Sequence, residues 1–194
     1  MINKTQNFIF KGMLLNSELE ALEEIGITTR EIPSLDISSK ENAPISLEDF
    51  SPVIRLNAIK MASVYMAFYC FENSARDLIK ERLKERIGND WWEKTVPAKI
   101  KEEVKKRKNK DSKNKWHAPR ALDEIYYIDF GDMSNIICNQ WEHFEDLFPT
   151  QDWIRTRIGD LKQSRNAIAH NNPLAERDVA RIKMYLDDWI KQVG

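Results

Sequence analysis

One stretch dictates the architecture more than any other: between Ser51-Pro52 and Gly88 the chain carries a helical pattern about thirty-five residues long. A capping hydroxyl followed by proline in the first turn is a strong helix start, and glycine is a natural stop. Val53, Leu56, Ile59, Ser63, Met66, Cys70, Phe71, Leu78, Leu83 and Ile87 recur at helical spacing and predict an apolar stripe along it. A helix of that length needs other elements laid against its stripe. Glycine is scarce, with six in 194 residues, and apolar residues elsewhere recur at helical rather than alternating spacing, so the expected class is all-α. The expected architecture is an antiparallel bundle of four to five main helices over residues 51–194, with residues 1–50 as an N-terminal arm or linker.

Within that arm, Phe8–Leu15 reads as a short extended segment. Ser17-x-x-Glu20 is a capping box for a short helix that Gly26 would end, and Thr28–Asp49 is polar and punctuated by proline. At the other end, helices are expected over Gln151–Ala169 and Ala175–Val193, and so short a connection makes them antiparallel neighbours. Another is expected from Asp132 to about Phe148, with Met133, Ile136, Ile137, Trp141 and Phe144 inward.

The chemistry concentrates in Arg165-Asn166-Ala167-Ile168-Ala169-His170, followed by Asn171-Asn172-Pro173. Asn166 and His170, four apart, share a helix face, whereas Arg165 must reach round to join them. Pro173 drives Asn172 out of helical conformation and asparagines terminate helices, so His170 falls in or next to the last turn. There the negative end of the helix dipole favours an imidazolium, and histidine is the side chain that exchanges its proton near neutrality. Arg165 would supply forked donors for phosphate oxygens. The same spacing also suits a capping histidine and an arginine paired with Asp160 or Asp188.

Arg-Asn-x-x-Ala-His after an amphipathic helix and before a polar turn and a further helix resembles the signature of the HEPN superfamily, the higher eukaryote and prokaryote nucleotide-binding domains. Phe71-Glu72-Asn73-x-x-Arg76-Asp77-Leu78-Ile79, Trp91-Trp92 with Val96-Pro97, and Ile128-Asp129-Phe130-Gly131-Asp132-Met133 extend the resemblance over about residues 51–194. It implies a helical bundle that dimerises and is often a metal-independent endoribonuclease, commonly a toxin or phage-defence effector. Its catalytic pair would be Arg165 and His170, supported by Asn166. Two histidines, one from each subunit, would divide acid and base roles while the arginines stabilise the phosphorane. An antitoxin or other regulatory protein is an implied partner. One branch carries a tyrosine two residues past the histidine that a partner enzyme modifies; here that position is Asn172. The superfamily also contains non-catalytic modules that bind nucleotide or RNA, or serve to dimerise.

Two further groups are candidates. Glu72 and Arg76, four apart, form either an exposed acid-then-base pair worth about 0.3–0.5 kcal/mol or an accessory pair facing the same cleft as Arg165 and His170. Residues 99–120 hold ten basic side chains against Glu102, Glu103 and Asp111, a net of +7, which leaves about −8 for the remaining chain. Lys105, Lys106, Arg107, Lys108 and Trp116 are the candidates there for RNA contact, by charge and by stacking on an unpaired base. Blocks of like charge are also commonly just solvated helix ends and loops.

Other chemistries lack their residues. His117, His143 and His170 are scattered and no His/Cys pair has ligand spacing, so no metal or cofactor is expected. Asp129-Phe130-Gly131 stands without a glycine-rich loop or a His-Arg-Asp catalytic loop, which excludes a kinase. Cys70 and Cys138 are expected to be buried free thiols. Met1-Ile2-Asn3-Lys4 lacks a signal-peptide layout and the longest apolar run, Met61–Phe71, is too short to span a bilayer. A cytoplasmic location without membrane association is expected.

Overall fold

The computed structural model describes residues 49–118 and 121–193. The extended segment, capping box and short helix expected within residues 1–48, and Arg120 of the basic segment, lie outside the described residues. Six α-helices and two single 3-10 turns are present, and no strand among the described residues. The helices are α1 (Pro52–Ile87), α2 (Trp91–Thr95), α3 (Ala98–Lys113), α4 (Asp132–Asn139), α5 (Gln151–Ala169) and α6 (Glu176–Val193). The 3-10 turns span Glu124–Tyr127 and Trp141–His143. The described residues divide into two units between Ala67 and Phe68, so α1 contributes to both.

In the first unit, the described part of α1 carries Val64 and Ala67 buried, whereas Val53, Ile54 and Leu56 are well exposed. The apolar stripe expected to begin at Val53 is therefore outward-facing over its first turns. Farther along, in the second unit, Phe68, Phe71, Ala75, Ile79 and Leu83 form the buried face. Cys70 lies off that face and is exposed, contrary to expectation, while Cys138 is buried as expected. Gly88 closes α1 at a φ of +103°, a conformation that a side chain would strain.

The core of the second unit is an aromatic chain that joins helices distant in sequence. Phe71 meets Phe130 at 6.0 Å between centroids and Trp189 at 5.1 Å in an edge-on arrangement. Phe148 continues it, 5.2 Å from Trp189 and 5.8 Å from Trp153. Such rings contribute about 0.5–1.5 kcal/mol per well-oriented pair beyond the area they bury. They tie the second half of α1 to both C-terminal helices.

The C-terminal hairpin has the expected antiparallel arrangement. Arg157 donates to Asp188 at 2.6 Å and the Tyr185 hydroxyl donates to Asp160 at 2.7 Å, so residue numbers rise on α5 as they fall on α6. Thr150 caps α5 by accepting the Trp153 amide at 3.1 Å. Asp160 and Asp188 are thus partners of Tyr185 and Arg157.

The helix expected from Asp132 to about Phe148 stops at Asn139. The Gln140 amide is shared between the carbonyls of Ile136 and Ile137, and its side-chain amide donates to the Thr95 carbonyl at 3.3 Å. This tie to α2 stops the helix, and the chain passes into the 3-10 turn Trp141–His143. Phe144 still points inward, fully buried, whereas Trp141 is only half-buried. At the start of α4, Gly131 lies close under Lys162 of α5, where an added Cβ would sit 3.3 Å from Nζ.

Candidate functional site

The end of α5 is shaped by its backbone. His170 is the C-cap, with φ −99° and ψ 16°. The Asn172 amide donates back to the Ala167 carbonyl and the Asn171 amide to the Ile168 carbonyl, each at 2.9 Å. With Asn171 at φ 57°, this is a Schellman closure with asparagine in the left-handed position. The sequence-expected stop is thus present, and it leaves the imidazole of His170 at the exposed tip of the helical hairpin. Neither the His170 ring nor the Asn166 amide has a hydrogen-bond partner among the described residues, and Asn166 is likewise exposed.

Arg165 is held differently. Its Nε lies 3.5 Å from Glu72 Oε2, and the other oxygen of the same carboxylate accepts from Arg76 Nη2 at 2.5 Å. Arg76 Nη2 also approaches the Ile128 carbonyl at 3.4 Å, which fixes it against the segment leading into α4. The Glu72 and Arg76 side chains are each 11% exposed and Arg165 40%. Glu72 and Arg76 are therefore no solvated surface pair: they form a buried brace that reaches from α1 to the arginine of the C-terminal motif. Arg165 meets the brace as an ion pair at Nε, and its terminal nitrogens have no partner among the described residues. That is the presentation a guanidinium needs to receive two oxygens of a phosphate.

Arg165 and Glu72 are thus brought together, while Arg165 and His170 make no direct contact. The sequence displays all five residues of this region but not that Glu72 links both arginines, nor that the Ile128 carbonyl completes the brace. Only a contact between residues 93 apart in the chain reveals it.

The basic segment is mostly helical, as α3, and part of its charge is already engaged. Arg107 donates to the Tyr127 carbonyl and to Asp129, each at 2.6 Å, and Lys108 pairs with Glu124 at 2.5 Å. Lys106 pairs with Glu103 at 2.7 Å and Lys101 with Glu93 at 3.2 Å. Lys105 is exposed with no partner among the described residues, and Trp116 is 85% exposed. A cleft of about 600 Å³ lies along one flank of α3, lined by Trp92, Lys101, Lys105 and Lys108 but also by Glu93, Glu102 and Glu124. Three cations against three carboxylates give that cleft no net pull on an anion. No described helix is long and apolar enough to cross a membrane.

A family model described as Swt1-like HEPN matches residues 66–194. No curated protein and no solved structure gives a match.

Proposed function

The chain belongs to the Swt1-like HEPN family, and from that premise we propose that it is a metal-independent endoribonuclease of the Arg-x4-6-His kind, acting as a homodimer. The observation that supports this most is the braced Arg165 at the same helix end as an exposed His170. A flexible surface arginine would lose entropy on gripping a phosphate, whereas one drawn at Nε toward a buried carboxylate has less freedom to lose.

The reaction needs one proton acceptor and one donor. A neutral His170 removes the proton of the ribose 2′-hydroxyl as its oxygen bonds to phosphorus. The His170 of the second subunit, protonated, gives its proton to the 5′-oxygen as the phosphorus–oxygen bond breaks. Both Arg165 side chains stabilise the charge that builds on the non-bridging oxygens of the phosphorane, and Asn166, on the His170 face of α5, supports the pair. The products are a 2′,3′-cyclic phosphate and a 5′-hydroxyl. Such an activity suits a toxin or phage-defence effector, restrained by an antitoxin or another regulatory protein and acting in the cytoplasm.

Purified protein incubated with end-labelled single-stranded RNA in EDTA should yield cyclic-phosphate ends. Arg165→Ala and His170→Ala should each abolish them, with the helical circular dichroism and the dimer retained. Cleavage retained by a folded double variant overturns the assignment. The lack of contact between Arg165 and His170 favours a second reading, a non-catalytic module that binds nucleotide or RNA with the same residues. Intact RNA together with saturable, Arg165-dependent binding would establish it.

A further inference from the structure

The outer side of α3 carries lysines that have no partner among the described residues. Ile100 and Val104 turn inward, and Arg107 and Lys108 tie the same side of the helix to Tyr127, Asp129 and Glu124. At 3.6 residues per turn, Lys99, Lys106, Lys110 and Lys113 fall together within an arc of about 60° on the opposite side, along roughly 21 Å of helix. Lys99, Lys110 and Lys113 are exposed and have no partner among the described residues. Glu103 and the exposed Glu102 flank the row, one at each edge, and Glu103 holds Lys106 at 2.7 Å. Just past the end of the helix stands Trp116, 85% exposed, with the ring of His117 edge-on to it at 5.5 Å.

We propose that this lysine row and Trp116 form a track for single-stranded RNA, the lysines following phosphates and the indole stacking on an unpaired base. The track rests on the reading of RNA as the substrate and adds to Arg165 and His170 a binding surface made of other residues. Three features select a single strand. The row is linear, its ammonium groups are point charges without the forks that read base edges, and the indole needs a base face that a duplex keeps stacked. Contact along the row is therefore indifferent to sequence and sensitive to salt. Glu103 acts at its edge as a brake, because its carboxylate neutralises Lys106 and repels the strand.

The test uses the full chain and a 2′-O-methyl oligouridine, which has no free 2′-hydroxyl to attack, so that binding is read apart from cleavage. For a single strand each phosphate contact contributes about −0.7 to the slope of log affinity against log salt, so the three free lysines supply about −2. Those contacts alone should cost the wild type roughly twenty-fold in affinity between 50 and 200 mM salt. In the Lys99→Gln/Lys110→Gln/Lys113→Gln variant the slope should flatten by about 2. Trp116→Ala should weaken the single strand roughly five-fold or more while leaving a duplex unaffected. Glu103→Gln should tighten binding and steepen the slope by about 0.7, an outcome that simple loss of structure cannot mimic. An unchanged slope in the triple variant overturns the track. So does equal capture of anionic vesicles or an acidic peptide, which would mark a general polyanion surface. If His170→Ala leaves cleavage of natural RNA intact, the proposed chemistry fails while the slope experiment still decides the track.

Discussion

At the scale of single residues, Glu72 is the most consequential side chain in the C-terminal site. Its carboxylate is buried and serves two guanidiniums, so removing it takes the carboxylate partner from a nearly buried Arg76, which keeps its contact with the Ile128 carbonyl. Glu72→Ala should lower stability by about 3–5 kcal/mol in urea unfolding, the cost of breaking a buried ion pair by removing one partner. Arg165, 40% exposed, would keep its hydration and lose only its anchor. If the proposed nuclease reading holds, cleavage should then fall even under conditions where the variant is fully folded. Asn171 is the second such residue. Its φ of 57° costs an ordinary side chain about 1–2 kcal/mol, and asparagine tolerates it better than most. Asn171→Val should therefore lower the melting temperature and displace His170, whereas Asn171→Gly should hold or raise it.

At the scale of elements, α1 and the C-terminal hairpin were legible because their ends carry strong local chemistry. Ser51-Pro52 and Gly88 bound α1, and Asn171 to Pro173 end α5 where the sequence says they should. Thr150→Ala should cost α5 about 1 kcal/mol by removing its capping oxygen, measured by thermal or denaturant unfolding. What was not legible depends on contacts between elements. The periodicity from Met133 to Phe144 is genuinely helical, but Gln140 reaches to Thr95 and ends the helix there. Likewise α3 buries only Ile100 and Val104, too few apolar positions to show against so many lysines. On α1, Cys70 sits one residue from the buried Phe71, and helical spacing alone does not tell which of the two faces inward.

At the scale of the molecule, the second unit is held by the aromatic chain and by carboxylates that fasten one element to another. Trp189, 4% exposed, touches Phe71 and Phe148, so Trp189→Ala should cost about 3–5 kcal/mol and loosen α6 from α1. Two phenols add an alkaline limit. The hydrogen bond from Tyr126 to Asp77 and that from Tyr185 to Asp160 raise each phenol above its ordinary range, with burial adding to both. A raised folded-state value means that the stabilisation is complete below the unfolded pKa near 10 and is lost as pH rises through the higher folded value. Melting temperature should hold steady from neutral pH to about 10 and then decline. A Tyr126→Phe/Tyr185→Phe variant should start lower and decline less.

The six tryptophans occupy very different surroundings, with Trp91, Trp92 and Trp189 shut inside and Trp116 standing 85% in water. Iodide added to the solvent should therefore extinguish the red-shifted emission of Trp116 first, while the buried indoles go on shining. The protein thus carries its own optical gauge at the end of α3, and a strand lying across that indole would shield it from the quencher without any dye being attached.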